Sequence, residues 1–377
     1  MSDDPSETGV PQAPPQTDMD RTTNLVVAEF QVEESRVEDG VPTYYLRQPQ
    51  ETKQPFLKLL KSLESIGLIA FLRKKEDSIV LKIAAKPQTK PSNVLVNWVL
   101  FLATIGTTFA TGYMLSQDMM DPLVGGVAFT VAIMAVLGAH EMGHKLTANR
   151  RGIEATPPYF IPGPPPMFGF LGIGTFGAVI MQKSLPPNRD SLFDIGASGP
   201  LVGFVIALIA VIVGLPLSVY SWIPVDAATL PEPLLFFLVG LVLPPLGAVP
   251  PRPDNNVLLG ISLHPVAFAG WVGLIVTMLN LLPAAMLDGG HVARALTSGK
   301  MRLVLSALSI IFLMVTGFWP MAFFVLLMGM YRHPGPLDDV SRLSRGRKLL
   351  AILLVVVFVL SSYVHYFVLM LLSLFGL

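Results

Sequence analysis

The chain contains no cysteine. Disulfides and thiolate ligands are therefore excluded, and any metal site must be built from imidazole and carboxylate. Charge is also scarce: Asp, Glu, Lys and Arg make up 14% of the 377 residues, against ~25% in soluble domains. The 26 basic and 26 acidic residues cancel, so no global basic field points to nucleic acid. No basic segment running into a short apolar core opens the sequence, and no cleaved signal peptide is expected. Hydrophobic residues are plentiful at 52%, with a mean hydropathy of +0.60. This balance predicts a polytopic α-helical protein that lives in a lipid bilayer. The 33 prolines and 32 glycines predict broken helices and shaped loops at membrane depth.

One stretch carries chemistry. An apolar run from Val131 leads into His140-Glu141-Met-Gly-His144. Residues four apart share a helix face, so both imidazoles can meet a single ion, and this spacing suits zinc. Glu141 then stands beside that ion as a base for its water. A chance match to so short a pattern is the alternative. Against it, a Glu and two His inside a bilayer-length apolar segment are costly unless partnered and employed.

Residues 1 to about 22 are acidic and Pro-rich and predict a disordered tail. Residues 23–91 read as a small soluble α+β domain: Leu25–Phe30 as a first strand, Pro55–Ile66 as an amphipathic helix, Ser78–Ile83 as a strand. The helix could instead lie on the membrane surface, but Gly67 and the strand after it favour a packed domain. Residues 92–300 follow as the membrane core, and 301–377 as C-terminal membrane segments. Spans are expected at about Val94–Leu115, Val124–Leu146, Phe193–Leu215 and Val266–Leu282, with Leu234–Leu246 as a short re-entrant or surface segment. Leu303–Tyr331 reads either as one long helix or as a hairpin, and Leu349–Leu377 adds further apolar sequence. The expected total is six to eight spans. Lys and Arg beside the His140 end and after Asp288 place both ends in the cytoplasm.

Between the second and third spans, Gly152–Met181 is broken by prolines and glycines. Its piece Ile173–Met181 is β-like, and Gly174 and Gly177 would let another backbone approach. It is expected to be a re-entrant segment lining a wet cavity, the alternative being an ordinary surface loop. In the third span, Gly196-Ala-Ser-Gly199-Pro-Leu-Val-Gly203 predicts close helix packing.

A catalytic zinc usually has three protein ligands. Candidates for the third are Glu154, Asp194, His264, Asp288 and His291. Topology removes His264, and Glu154 lies in a polar stretch past the second span. Asp288 sits where Pro283 and Gly289-Gly290 break a helix on the matching side, while a lone Asp there could also be a turn residue. His291 competes as a third imidazole, but Asp288 lies deeper, and its charge lowers that of a buried ion.

The pairing of His140-Glu141-x-x-His144 with Asn280-x-x-Pro283-x-x-x-x-Asp288-Gly289 resembles the site-2 protease family of intramembrane zinc metalloproteases. The likeness covers about Val94–Leu296. It is closest to the archaeal, cyanobacterial and chloroplast branch with a soluble N-terminal extension, through Gly174-Thr-Phe-Gly-Ala-Val-Ile180 and Phe193–Phe204. The resemblance implies one zinc held by His140, His144 and Asp288, Glu141 as general base, and Asn280 toward the substrate carbonyl or its oxyanion. It implies transmembrane protein substrates, a bilayer setting and no nucleic acid. A substrate helix must be unwound locally before attack, and the Gly174–Gly177 stretch is expected to hold it by strand addition. A transporter or a non-catalytic scaffold with a metal site remains the alternative; neither explains the complete motif pair.

Overall fold

The computed structural model describes residues 16–88, 93–167, 172–227, 229–253, 256–330 and 334–363. The chain divides into two compact units. The first comprises the N-terminal residues to Pro91 together with Ser184–Leu192 and Pro334–Ser344.

In this first unit, α1 (Gln16–Glu29), β1 (Val32–Glu38), β2 (Val41–Leu46), α2 (Lys53–Glu64), β3 (Leu68–Lys75) and β4 (Ser78–Ala85) follow in order. The four strands form an antiparallel sheet in the order β1-β2-β4-β3. Helix α2 buries Phe56, Leu59 and Leu63, one stripe at helical spacing, among Leu46, Leu72, Leu81 and Ile83.

Two expectations fail here. Helix α1 begins at Gln16, inside the stretch read as a tail, whose residues 1–15 lie outside the described residues. It also takes up Leu25–Glu29, read as a strand. The β-branched pair Val26-Val27 favours a strand locally. The four-residue spacing of the buried positions Thr22, Val26 and Phe30 decides for a helix.

The outer edge of β3 is covered by a later piece of chain. Leu72 donates its amide to the Leu337 carbonyl (2.9 Å) and accepts from Asp339 N–H (3.1 Å). Leu337 and Asp338 donate in turn to the carbonyls of Pro186 and Pro187. The Asp338 carboxylate is buried and accepts from the Val340 and Ser341 amides, each at 2.9 Å. Asp190 accepts from Lys53 Nζ (3.1 Å) and Ser344 N–H (3.0 Å). An open sheet edge is a liability, and here the same chain closes it.

The second unit holds α3 (Val94–Leu115), α4 (Pro122–Arg150), β5 (Tyr159–Pro162), β6 (Thr175–Val179), α5 (Arg189–Gly214) from Phe193 onward, β7 (Val219–Pro224), α6 (Leu234–Val242), β8 (Val257–Ser262), α7 (Pro265–Leu281), α8 (Asp288–Leu296), α9 (Gly299–Val315), α10 (Trp319–Gly329) and α11 (Arg345–Ser361). Among the described residues, α3, α4 and α5 are long and apolar enough to cross a membrane; α7 and α10 are shorter apolar helices. Leu95, Trp98 and Leu102 on α3 and Leu303, Leu308 and Ile311 on α9 are exposed, as faces covered by lipid would be. The core packs Phe129, Ile133 and Leu137 of α4 against Val211 of α5 and Phe268, Trp271 and Met278 of α7.

The block Leu303–Tyr331, open between one helix and a hairpin, is two helices packed on each other. Gly317 takes φ +82 between them, and Pro320 sits in the first turn of α10, where its missing N–H is harmless. The short segment expected at Leu234–Leu246 is the nine-residue α6, which stops before Pro244-Pro245. Of the last expected block, residues 364–377 lie outside the described residues.

Candidate metal and catalytic site

Helix α4 starts firmly, with the Asp121 carboxylate accepting from Leu123 N–H (2.9 Å) and Pro122 in the first turn. It runs 29 residues, which carries His140, Glu141 and His144 deep into the unit, where all three are buried. After α7 the chain turns sharply, with Ala285 at φ +47, and α8 folds back on the end of α7. Gly289 makes this possible: a Cβ there would lie 2.1 Å from the Leu281 carbonyl oxygen. Asp288, the first residue of α8, is thereby returned to the two histidines.

The three side chains converge. Nε2 of His140 lies 3.1 Å from Nε2 of His144 and 3.2 Å from Oδ2 of Asp288, and Nε2 of His144 lies 3.3 Å from Oδ1 of Asp288. Zinc bonds of ~2.0–2.1 Å in a tetrahedron put neighbouring ligand atoms ~3.3 Å apart, so the triangle has the size that one zinc ion requires. The orientation of His144 fits as well. Its Nδ1 is 2.8 Å from the Ile195 carbonyl, which only accepts, so Nδ1–H donates and Nε2 presents its lone pair to the cluster. Among the described residues, these three make up the one group with metal-ligand spacing, and His291 is outside it.

Helix α5 makes room for the rings. Gly143 of α4 faces the Ser198 carbonyl, while Gly199 and Gly203 of α5 face His144 and His140; a Cβ at Gly203 would lie 3.0 Å from His140 Nδ1. The small residues read as a packing stripe are thus the seats of the two imidazoles.

A cavity of about 470 Å³ opens beside the cluster, lined by His140, Glu141 and Asn280 and, on another wall, by Thr175–Val179 of β6. Strand β6 pairs antiparallel with β5, and among the described residues no strand covers its second edge. Gly177 lines the cavity at φ +105 with open space where a Cβ would be. Gly174, at φ +75, packs on α3 instead: a Cβ there would lie 2.6 Å from the Thr107 carbonyl, and its own carbonyl accepts from Thr107 Oγ1 at 2.6 Å.

Two of the other candidates, Asp194 and His264, have other partners. Asp194 pairs with Arg347 (2.6 and 2.7 Å) and with Arg151. His264 caps α7, its Nδ1 accepting from Val266 N–H at 3.2 Å. Sequence reasoning missed three contributions. The Ile195 carbonyl is a backbone group with no residue signature. Met321 and Phe324 of α10 also line the cavity, but in the sequence they are two more apolar residues in an apolar block. The seating role of Gly199 and Gly203 was visible only as small-residue spacing.

A family model described as peptidase family M50 matches residues 128–318, a stretch containing both the His140–His144 helix and Asp288. The chain belongs to peptidase family M50. Curated relatives agree with this M50 assignment. The probable zinc metalloprotease EGY2, chloroplastic, of Arabidopsis thaliana is 32% identical over 235 residues, covering 59% of this chain and 38% of the relative. The protein of that name from Oryza sativa subsp. japonica is 30% identical over 227 residues, covering 59% and 39%. The probable zinc metalloprotease EGY1, chloroplastic, of Arabidopsis thaliana is 29% identical over 311 residues, covering 77% and 52%. The chain thus spans from about two fifths to about half the length of these relatives. No solved structure matches it. The resemblance to site-2 proteases drawn from the two motifs is met by the family match.

Proposed function

We propose that this M50 chain is a zinc-dependent intramembrane endopeptidase that cleaves transmembrane protein substrates. One observation carries the reading: two imidazoles and a carboxylate converge at zinc spacing on a cavity that also holds Glu141 and a strand edge that, among the described residues, no other strand covers.

His140, His144 and Asp288 would hold the ion. Zinc bound there supplies Lewis acidity toward a peptide carbonyl and makes water a stronger acid. Glu141, buried beside the cluster, accepts a proton from the attacking water on a carboxylate oxygen. It returns that proton to the amine nitrogen as the peptide bond breaks. The free edge of β6 pairs with an unwound piece of substrate, whose carbonyls no longer bond within their own helix, and Asn280 faces the same space. The apolar walls from α7 and α10 keep bulk water away. A transport role would leave Glu141 and the β6 edge without a task.

The finer membrane reading is six to eight spans with the active site toward the cytoplasm, supported by the basic residues after α4 and within α8 and α9. The N-terminal unit is a soluble domain, and the peptidase core extends beyond residue 300 to include α10, because Met321 and Phe324 line the cavity.

The test is Glu141→Gln in the purified chain, reconstituted in liposomes with a transmembrane substrate. Zinc content stays near that of the unsubstituted chain while cleavage falls at least ~10²–10⁴-fold, the typical loss on removing a general base. Cleavage at an undiminished rate would refute the assignment.

A further inference from the structure

Helix α3 supplies none of the described residues that line the Glu141 cavity and none of the metal cluster. Its polar residues point to a different task. Asn97, 7% exposed, sits in the first turn of a helix long and apolar enough to span a bilayer. A carboxamide buried there is costly unless its hydrogen bonds are made. Its Nδ2 donates to the carbonyls of Pro157 (3.3 Å) and Pro158 (3.0 Å), just before β5. Both partners only accept, which fixes the amide nitrogen on that side. Neither proline has an N–H to offer, so the carbonyls are the polar backbone groups by which this entry to β5 can be held.

Thr107 holds the other end. Its Oγ1 lies 2.6 Å from the carbonyl of Gly174, the residue before β6, and 3.1 and 3.2 Å from the carbonyls of Ala103 and Thr104 in its own helix. A hydroxyl has one proton to donate, and the shortest of the three distances takes it. The backbones touch around this bond, for a Cβ on Gly174 would lie 2.7 Å from Thr108 Cα. Between the two anchors the Phe101 ring meets the Phe160 ring of β5 edge-on, with centroids 5.4 Å apart. Asn97 and Thr107 are ten residues apart on α3, ~15 Å of helix. Both ends of the β5–β6 pair are thus tied to one rigid element.

We propose that Asn97 and Thr107 are positioning residues: they set where β6 stands along the Glu141 cavity, and thereby which bond of a paired substrate is cut. The inference rests on the peptidase reading, with substrate added as a strand at β6. A strand paired there advances ~3.3 Å per residue, and a misplacement of ~1 Å can cost ~10²-fold in rate. An antiparallel ladder repeats every two residues, with the same side chains facing the same wall. A β6 held less firmly therefore admits a second productive register two residues away.

The test uses the full chain in liposomes with single-span leucine–alanine peptides that carry a central Gly-Gly pair, the cut positions being read by mass spectrometry. The unsubstituted chain cuts one principal bond. Thr107→Val keeps the side-chain shape and loses the hydroxyl; the share of product cut two residues away rises about fivefold, the scale of one neutral hydrogen bond. Asn97→Leu shifts cleavage in the same way, Thr107→Ser restores the principal bond, and zinc per chain stays constant throughout. Thr104→Val is the control, because its hydroxyl bonds to Leu100 within α3; it leaves the cut position unmoved. Hydrogen exchange supplies a readout that needs no substrate: the amides of β5 and β6 exchange faster in Thr107→Val and Asn97→Leu than in Thr104→Val. Melting curves establish folding, and Asn97→Leu serves if Thr107→Val does not fold. Slower cleavage at an unmoved bond would overturn the proposal while leaving the peptidase reading intact. An equal shift in Thr104→Val would also overturn it, since that marks general loosening of α3. No cleavage of any peptide by the unsubstituted chain tells against the peptidase reading itself, and the proposal falls with it.

Discussion

A Cβ on Gly199 would stand 2.0 Å from Nε2 of His144, the ring atom that faces His140 and Asp288. Glycine at this position is therefore a condition for the imidazole's place, and no rotamer change at residue 199 relieves the contact.

Gly199→Ala is expected to displace the His144 ring and lower zinc affinity more than tenfold, at a stability cost of about 1–3 kcal/mol for overpacking. Gly203→Ala, with 3.0 Å to His140 Nδ1, does less harm. Zinc per chain by elemental analysis, alongside melting temperature, checks this ordering; equal zinc in Gly199→Ala and the unsubstituted chain would mean that the helices separate without disturbing the ligands.

Asp288 and His291 are three residues apart with different surroundings. Asp288→Ala should lose tight zinc and cleavage together, since two imidazoles remain of a three-point site. His291→Ala should keep metal and most turnover. If metal follows His291 instead, the ion is held by three imidazoles.

Gly177 and Gly174 separate by mechanism. Gly177→Val forces a β-branched residue to φ +105 on the cavity wall, so substrate cleavage should fall with zinc content unchanged. Gly174→Val adds a clash with the Thr107 carbonyl and should also lower the melting temperature. Normal cleavage in both variants would remove β6 from substrate handling.

Because the chain has no cysteine, single cysteines report cleanly. Cysteines introduced at Asn149, near the end of α4, and at Thr297, just after α8, should both react only with reagent supplied from the cytoplasmic side. Labelling of one from each side would contradict ligands reaching the same depth from these two helices.

Long apolar elements were legible in the sequence because lipid-scale hydrophobicity dominates every other term. The span expected at Val94–Leu115 is α3 with those bounds, and α7 differs from its expected span by one residue at each end. Two His four apart announced one side of the cluster in the sequence, whereas Asp288 competed there with other acids and with His291, and the resemblance pointed to it before the structure brought the three side chains together. Burial decided the rest. Val26-Val27 looks like a strand until Thr22 and Phe30 are seen facing the same core. The break at Gly317 and Pro320 was written in the chain, yet a block of nearly 30 apolar residues also suits one helix. Strand β1, Val-Glu-Glu-Ser-Arg-Val-Glu, is made a strand by its pairing rather than by its composition.

The covered edge of β3 has a consequence in time. Residues 68–75 are synthesised long before Leu337–Asp339, the segment that closes them. At ~5–20 residues per second, the ribosome needs roughly 15–50 s to supply it. During that interval the sheet carries an uncovered edge on β3, while α3 to α10 are being made. A nascent chain stalled anywhere before Asp339 would keep a sticky edge for chaperones or proteases to find. Closure of the N-terminal sheet thus acts as a receipt that the intervening membrane segments have been made.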